Sequence, residues 1–192
     1  MNLGDEKHRN PWQTKGHRAI YENPWISVRE DQVVRPNGSE GIYGVVSMRN
    51  KAVGVVPLHQ DGTVTLVGQW RYTMEEYSWE IPEGGCPQNE EPIECARREL
   101  QEETGLIAAS IVPLGGEVHL SNSVTDERGY LFLATGLTQS EATPEETEEL
   151  QVRRVPLGEA VEMVVRGQIN DGLSVMALLL LERQQQQSVS NL

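Results

Sequence analysis

Cysteine is scarce in this chain of 192 residues, which contains only Cys86 and Cys95. The two cysteines do not form a CxxC pair, and the histidines are not grouped with them at the spacing of a zinc site. This scarcity excludes a disulfide-rich miniprotein and a zinc-finger module. Two thiols in a chain of this size indicate reduced cysteines, so we expect a cytoplasmic protein.

Lys and Arg are also few relative to Asp and Glu, and long apolar runs are lacking. Sixteen Lys and Arg stand against 29 Asp and Glu, which leaves a net charge of −13. Nucleic-acid binding needs clustered Lys and Arg, so we expect no nucleic-acid partner. The longest apolar run, residues 175–181, is too short to cross a bilayer, so we expect no membrane partner. An acidic protein can still bind phosphates where a divalent cation lies between carboxylate and phosphate.

Apolar residues and turn signals predict an α+β fold with a mixed β-sheet flanked by helices. Apolar residues make up 38% of the chain, enough for the core of one domain. Residues 1–16 are polar and are predicted to be loose, while residues up to about 75 are predicted to form an antiparallel array with a hairpin turn at Asp61-Gly62. The predicted elements are strands at 26–35, 42–48, 52–58, 64–67, 111–120, 130–135 and 150–155, and helices at 92–104, 157–166 and 173–184.

One predicted helix carries an unusual acidic edge. Glu99 and Glu103 are spaced i, i+4 and therefore stack on one side of the apolar stripe, and Glu102 widens the same edge. Like charges at this spacing destabilise a helix unless a cation neutralises them. Mg²⁺, a hard cation that prefers oxygen ligands, would do so, while the alternative is a solvated acidic face.

The residues around this helix form a longer pattern, G-x5-E-x7-R-E-L-x-E-E-x-G-L. This pattern resembles the Nudix box at every defined position. The resemblance implies a Nudix-like α/β/α sandwich and Mg²⁺-dependent hydrolysis of a nucleoside diphosphate linked to another group, with Mn²⁺ as an alternative ion. The matching residues are Gly84, Glu90, Arg98, Glu99, Leu100, Glu102, Glu103, Gly105 and Leu106.

The resemblance also implies roles for individual residues. Glu99 and Glu103 correspond to the main metal ligands of the family, and Glu102 to a supporting ligand. Glu83 precedes the first glycine of the box and would supply its backbone carbonyl. Arg98 would orient the helix carboxylates.

The segments 69–72 (QWRY) and 79–85 (WEIPEGG) resemble the ADP-ribose and nucleotide-sugar pyrophosphatase branch of the family. In that branch Arg71 and Glu80 would contact the substrate, although a surface ion pair and a strand-end salt bridge are the alternative interpretations. Glu127 resembles a further acidic residue of the substrate site.

The water-activating base of this branch often lies in an acidic loop after the box. Here that loop is residues 143–152, and Glu148 is the first candidate and Glu146 the second. The alternative is a solvated acidic loop with no catalytic role. If neither carboxylate is the base, Glu102 or Glu127 would take that role.

One departure from the branch concerns specificity. Asn122 stands where ADP-ribose-specific relatives carry a proline, and the surrounding segment is more similar to enzymes that act on nucleotide sugars. We therefore predict a nucleoside-diphosphate-sugar hydrolase, with an ADP-ribose-specific pyrophosphatase and a non-catalytic nucleotide-sugar sensor as alternatives. Residues 1–48 resemble the dimerising strands of this branch, so we expect a homodimer, with the Nudix domain at 49–184 and a disordered tail at 185–192.

Overall fold

The computed structural model describes residues 9–142 and 149–190, which form two compact units. The first unit contains residues 9–49 and 121–126, and the second contains the remaining described residues. Strands predominate and helices are few among the described residues, which agrees with the predicted α+β class. In chain order the elements are β1 (Gln13–Glu22), β2 (Ile26–Val34), β3 (Glu40–Met48), β4 (Lys51–Pro57), β5 (Thr63–Arg71), β6 (Glu76–Glu80), β7 (Glu83–Cys86), α1 (Pro92–Thr104), β8 (Leu106–Pro113), β9 (Val118–His119), β10 (Arg128–Gln139), β11 (Gln151–Pro156), α2 (Leu157–Val165) and α3 (Gly172–Ser190).

The first unit is a three-stranded antiparallel sheet in the order β1-β2-β3. The sequence did not predict β1, because nearly all of its side chains are exposed and the strand lacks the alternation of a half-buried strand. Residues 121–126 complete the unit. The Tyr43 hydroxyl donates a hydrogen bond to the Ser123 carbonyl (2.7 Å), and Val46 forms a parallel bridge with Thr125.

The second unit is built on a mixed sheet in the order β7-β4-β10-β8, with β9 paired to β10. Successive side chains of a strand point to opposite faces. On β4, Val53 and Val55 pack in the cluster that contains the apolar side of α1. Val56 packs in the cluster that contains residues of α2 and α3. The sheet therefore has helices on both faces, as in an α/β/α sandwich.

The prediction of one antiparallel array up to residue 75 is wrong for β4, which pairs in parallel with β10. The Asp61-Gly62 turn does form, and Gly62 adopts a φ of 79°. The strands on either side of the turn then diverge. Strand β5 lies in a separate sheet in the order β11-β5-β6. The two strands stay connected close to the turn, by the bridge between Leu58 and Val64 and by the hydrogen bond that the His59 N–H donates to the Thr63 carbonyl.

Helix α1 has the predicted bounds. Gly105 ends it in the left-handed conformation (φ 70°) and donates its N–H to the Gln101 carbonyl, at 2.8 Å. Asp171 caps helix α3, because its Oδ2 accepts the Ser174 N–H at 2.8 Å. It continues to Ser190 rather than to residue 184, because glutamine is a good helix former in spite of the low complexity of the tail. Within the described part of the chain, no helix combines the length and apolarity needed to span a membrane.

Candidate active site

Helix α1 and the start of β7 bring three of the predicted metal ligands together. Glu103 is almost fully buried, and its Oε2 accepts a hydrogen bond from the Glu83 N–H at 3.1 Å. The Glu99 carboxylate lies against Gly84, where an added Cβ would approach the carboxyl carbon to 2.2 Å. The glycine is therefore required because the carboxylate and the backbone of β7 approach so closely.

Arg98 connects the acidic groups around the helix. Its Nη1 donates to Glu99 Oε1 (2.8 Å) and to Glu102 Oε2 (2.9 Å), and its Nη2 donates to Glu90 Oε2 (3.1 Å) and to the Gly85 carbonyl (3.3 Å). The hydrogen bonds that Arg98 donates to Glu90 and the charge of Glu99 raise the pKa of the Arg98 guanidinium, although burial opposes that shift. Arg98 thus fixes the rotamers of two candidate metal ligands.

Arg71 and Glu80 form a second ionic group beside the first. Arg71 Nε donates to Glu80 Oε1 at 2.8 Å, and Nη2 donates to both Glu80 Oε2 and Glu83 Oε1, the latter at 2.9 Å. Burial lowers the pKa of Arg71, but the hydrogen bond and charge of Glu80 and the charge of Glu83 outweigh it, so the pKa is raised overall. The ion pair expected as an alternative does form, and it lies next to the start of β7.

Asp171, which caps α3, completes this second group, and the sequence did not predict it as a site residue. One oxygen from each of Glu80, Glu83 and Asp171 lies within 4.8 Å of the others. Burial, followed by the charges of Asp171 and Glu80, raises the pKa of Glu83 well above its ordinary value. A helix-cap pattern involves only residues that are close in the sequence, so it could not predict the contact of Asp171 with Glu80 and Glu83.

Cys86 at the end of β7 and Cys95 on α1 lie close to Glu90, and both thiols are free and fully buried. Burial raises the pKa of both thiols. They therefore remain protonated near neutral pH, which makes them poor nucleophiles and poor metal ligands. Their free thiols agree with the prediction that both cysteines are reduced.

The remaining candidates follow the catalytic helix in the chain. Glu127 is half-buried and lies directly before β10. Two residues further on, Gly129 of β10 pairs with Ala52 of β4, which in turn pairs with Gly85 of β7. Glu127 therefore lies near the sheet end at which β7 finishes. The two base candidates, Glu146 and Glu148, lie outside the described residues.

The sequence matches the family model of the NUDIX domain over residues 48–175, more than half of the chain. The chain belongs to the Nudix family. A second family model, the nucleoside diphosphate sugar hydrolase N-terminal domain, matches residues 12–46 of this Nudix protein.

Similar proteins agree with this assignment. An ADP-ribose pyrophosphatase of Bacillus subtilis is 30% identical over 88% of this chain and 92% of its own length. An ADP-ribose pyrophosphatase of Mycobacterium tuberculosis is also 30% identical, over 88% of this chain and 82% of that protein. A GDP-mannose pyrophosphatase of Yersinia enterocolitica is 34% identical over 76% of this chain and 81% of that protein.

A solved structure described as an ADP compounds hydrolase covers 95% of this chain and 98% of its own, with a TM-score of 0.82. Its sequence identity is 22%, so this structural similarity supports the fold alone. The predicted Nudix fold is confirmed, and the family and relatives confirm that the chain is a Nudix pyrophosphohydrolase of the ADP-ribose and nucleotide-sugar branch.

Nudix hydrolases generally use a divalent metal ion, and the residues present here fit one. Glu99, Glu102 and Glu103 offer carboxylate oxygens, the ligand type that hard divalent cations prefer. Gly84 leaves space for the Glu99 carboxylate beside the backbone of β7, which a larger residue would fill. The hydrogen bond from Glu83 fixes Glu103 at the same place.

Gly84→Ala is expected to lower kcat/KM by about ten- to a hundredfold, the usual cost of disturbing the groups that orient a metal ligand. The added Cβ would displace the Glu99 carboxylate, while the melting temperature should change little because that carboxylate can rotate away. Steady-state kinetics with Mg²⁺ and thermal denaturation measure both effects. Gly158→Ala is the matched control, because a Cβ there meets no atom within 4 Å. Equal activity of the two variants would show that the close contact between Gly84 and the Glu99 carboxylate is not important for catalysis.

Proposed function

We propose that this Nudix enzyme hydrolyses the pyrophosphate bond of nucleoside diphosphate sugars in a Mg²⁺-dependent reaction. The products would be a nucleoside monophosphate and a sugar phosphate. The observation that supports this most directly is the approach of Glu99 and Glu103 to the backbone of Gly84 and Glu83. Carboxylates held against a backbone segment in this way offer an oxygen-rich site for an ion that also binds phosphate.

In this proposal Glu99 and Glu103 hold the ion, Glu102 supports them, and Glu83 contributes its backbone carbonyl. Such an ion neutralises charge on the phosphates and lowers the pKa of a bound water. Arg98 keeps Glu99 and Glu102 in place through its Nη1 hydrogen bonds. Its role is to position these ligands rather than to contact the substrate.

Arg71 is proposed to bind the substrate diphosphate. Its guanidinium suits this role because it presents several N–H donors in a fixed plane. The side chain is about one-third exposed, so a phosphate can reach it, whereas its partner Glu80 is almost fully buried. Glu80 would then hold Arg71 in the correct orientation or accept a hydrogen bond from a sugar hydroxyl. Glu127 is proposed as a further substrate contact.

The proposed general base is Glu148, with Glu146 as the second candidate. A base must take a proton from the attacking water at hydrogen-bond distance, and an acidic loop after the box supplies carboxylates for that step. Glu102 is the candidate within the helix, but its hydrogen bond with Arg98 suits a supporting ligand better.

Two alternatives were open from the sequence. An ADP-ribose-specific pyrophosphatase is favoured by the names of two relatives, and the GDP-mannose pyrophosphatase of Yersinia enterocolitica favours a broader or different sugar preference. A non-catalytic sensor would not need three ordered helix carboxylates and their arginine. We therefore retain hydrolysis of nucleotide sugars as the proposal.

The substrate range tests the proposal. The metal and Arg71 act on the diphosphate, so they distinguish poorly between sugars. We expect several nucleotide hexoses, including ADP-glucose and GDP-mannose, to be hydrolysed with kcat/KM within about tenfold of ADP-ribose, a difference of about 1.4 kcal/mol. A phosphatase-coupled assay with Mg²⁺ measures this. Hydrolysis of ADP-ribose alone, with the hexoses at least about a hundredfold slower, would favour the ADP-ribose-specific alternative. No hydrolysis of any nucleotide sugar would favour the sensor.

We also propose a homodimer formed through the first unit. Several large apolar side chains on or beside its three strands are exposed, and a second copy could cover them. They are Ile20, Tyr21, Trp25 and Ile42. The two free thiols are consistent with a cytoplasmic location for this dimer.

A further inference from the structure

The acidic group of Glu80, Glu83 and Asp171 has the composition of a cation site. The three residues come from the end of β6, the start of β7 and the cap of α3, and one oxygen of each lies within 4.8 Å of the others. Three ionised carboxylates so close together repel one another unless positive charge neutralises them. Arg71 supplies one positive charge, through Glu80 and Glu83.

A second observation points to a missing partner. Glu83 Oε2 is buried, and no hydrogen-bond partner for it exists among the described residues. The side chains of Glu83 and Glu80 are 10% and 2% exposed, so solvent hardly reaches them. A buried carboxylate oxygen without a partner carries a desolvation cost that a bound cation would remove.

We propose that Glu80, Glu83 and Asp171 bind a divalent cation through their carboxylates, at a site additional to that of the helix carboxylates Glu99 and Glu103. Binding of the ion would displace the proton that the raised pKa of Glu83 favours. The three ionised carboxylates and the Arg71 guanidinium would then carry a net charge of about −2, which a divalent ion balances. Oxygen ligands alone suit Mg²⁺, Mn²⁺ or Ca²⁺. This inference does not depend on which nucleotide sugar the enzyme hydrolyses.

Such an ion would join the cap of α3 to the segment that precedes the Nudix box. These parts already meet in the core, because Ser174 Oγ accepts the Ile81 N–H at 2.9 Å and both residues are buried. Fixing the Glu83 side chain would also fix its backbone N–H, which holds Glu103. The additional cation would therefore help to order Glu103, one of the proposed ligands of the catalytic ion.

The test counts Mn²⁺ bound to the substrate-free enzyme, with free Mn²⁺ measured by electron paramagnetic resonance. Asp171→Asn removes one charge and keeps a good helix cap, so the variant should fold, which circular dichroism checks. We expect it to bind one Mn²⁺ fewer than the wild type. Asp61→Asn is the matched control, because Asp61 is an exposed turn residue paired with Arg154, and it should bind as many ions as the wild type.

A second pair of variants separates this site from the catalytic one. Glu103→Gln disables the proposed catalytic site, and adding Asp171→Asn to it should remove one further Mn²⁺ and abolish any remaining rise in melting temperature with Mn²⁺. Equal Mn²⁺ counts for the wild type and Asp171→Asn would overturn the inference and leave the proposed function intact. The inference also fails if Asp171→Asn removes no ion in the Glu103→Gln background. Unchanged activity of Glu103→Gln would instead count against the proposed function.

Discussion

Glu103→Gln is expected to lower kcat by about a thousandfold while leaving the fold intact. The substitution keeps the shape of the side chain and an oxygen that can accept the Glu83 N–H, but it removes the charge that would bind the metal. Loss of transition-state stabilisation by about 4 kcal/mol corresponds to this factor, because each 1.36 kcal/mol is tenfold in rate. The metal-free variant should be no less stable than the wild type, since the repulsion between residues 99 and 103 falls.

The measurement is kcat at saturating Mg²⁺, together with thermal denaturation in the absence of metal. Glu94→Gln is the matched control, because Glu94 lies on the same helix, is largely exposed and pairs only with Arg97 among the described ion pairs. It should retain nearly full activity. Turnover of Glu103→Gln close to that of the wild type would remove Glu103 from the mechanism.

Glu148→Gln should lower kcat by about 10²–10⁴-fold, the usual contribution of a general base, with little change in KM. The amide cannot take the proton of the attacking water, whereas binding of the diphosphate depends on other groups. Because a base must be ionised to act, the remaining activity should also lose the acidic limb of the pH profile of kcat.

Glu146→Gln serves as the neighbouring comparison and should have the smaller effect. A larger loss in Glu146→Gln would exchange the two assignments. If both variants keep full activity, the base lies elsewhere, and Glu102 and Glu127 become the next residues to change.

The sequence predicted the catalytic helix well because its signals are local. Pro92 at the first turn, Gly105 after the last turn and the i, i+4 spacing of Glu99 and Glu103 all act within one element. Gly84 was predictable only through the resemblance to the Nudix box. The structure then supplied the physical reason for it, which is the approach of the Glu99 carboxylate.

The sequence did not predict which strands pair when they are distant along the chain. Strand β4 is buried on both faces, as a strand inside a parallel pair commonly is, but nothing in its composition names β10 as its partner. Strand β1 has too little burial to produce a pattern. Asp171 reaches Glu80 and Glu83 only after α3 has packed on the sheet, so its neighbours depend on tertiary structure rather than on local spacing.

The bonds of Arg98 explain why a charge-conserving replacement at this position would not preserve its role. Its guanidinium contacts three carboxylates at the same time. Nη1 donates to Glu99 and Glu102, while Nη2, which points in a different direction, donates to Glu90. A lysine ammonium has three donors, but they all leave one nitrogen on a flexible chain, so they do not reproduce the wide planar fork of the guanidinium. The position therefore requires the planar shape of a guanidinium as well as its positive charge.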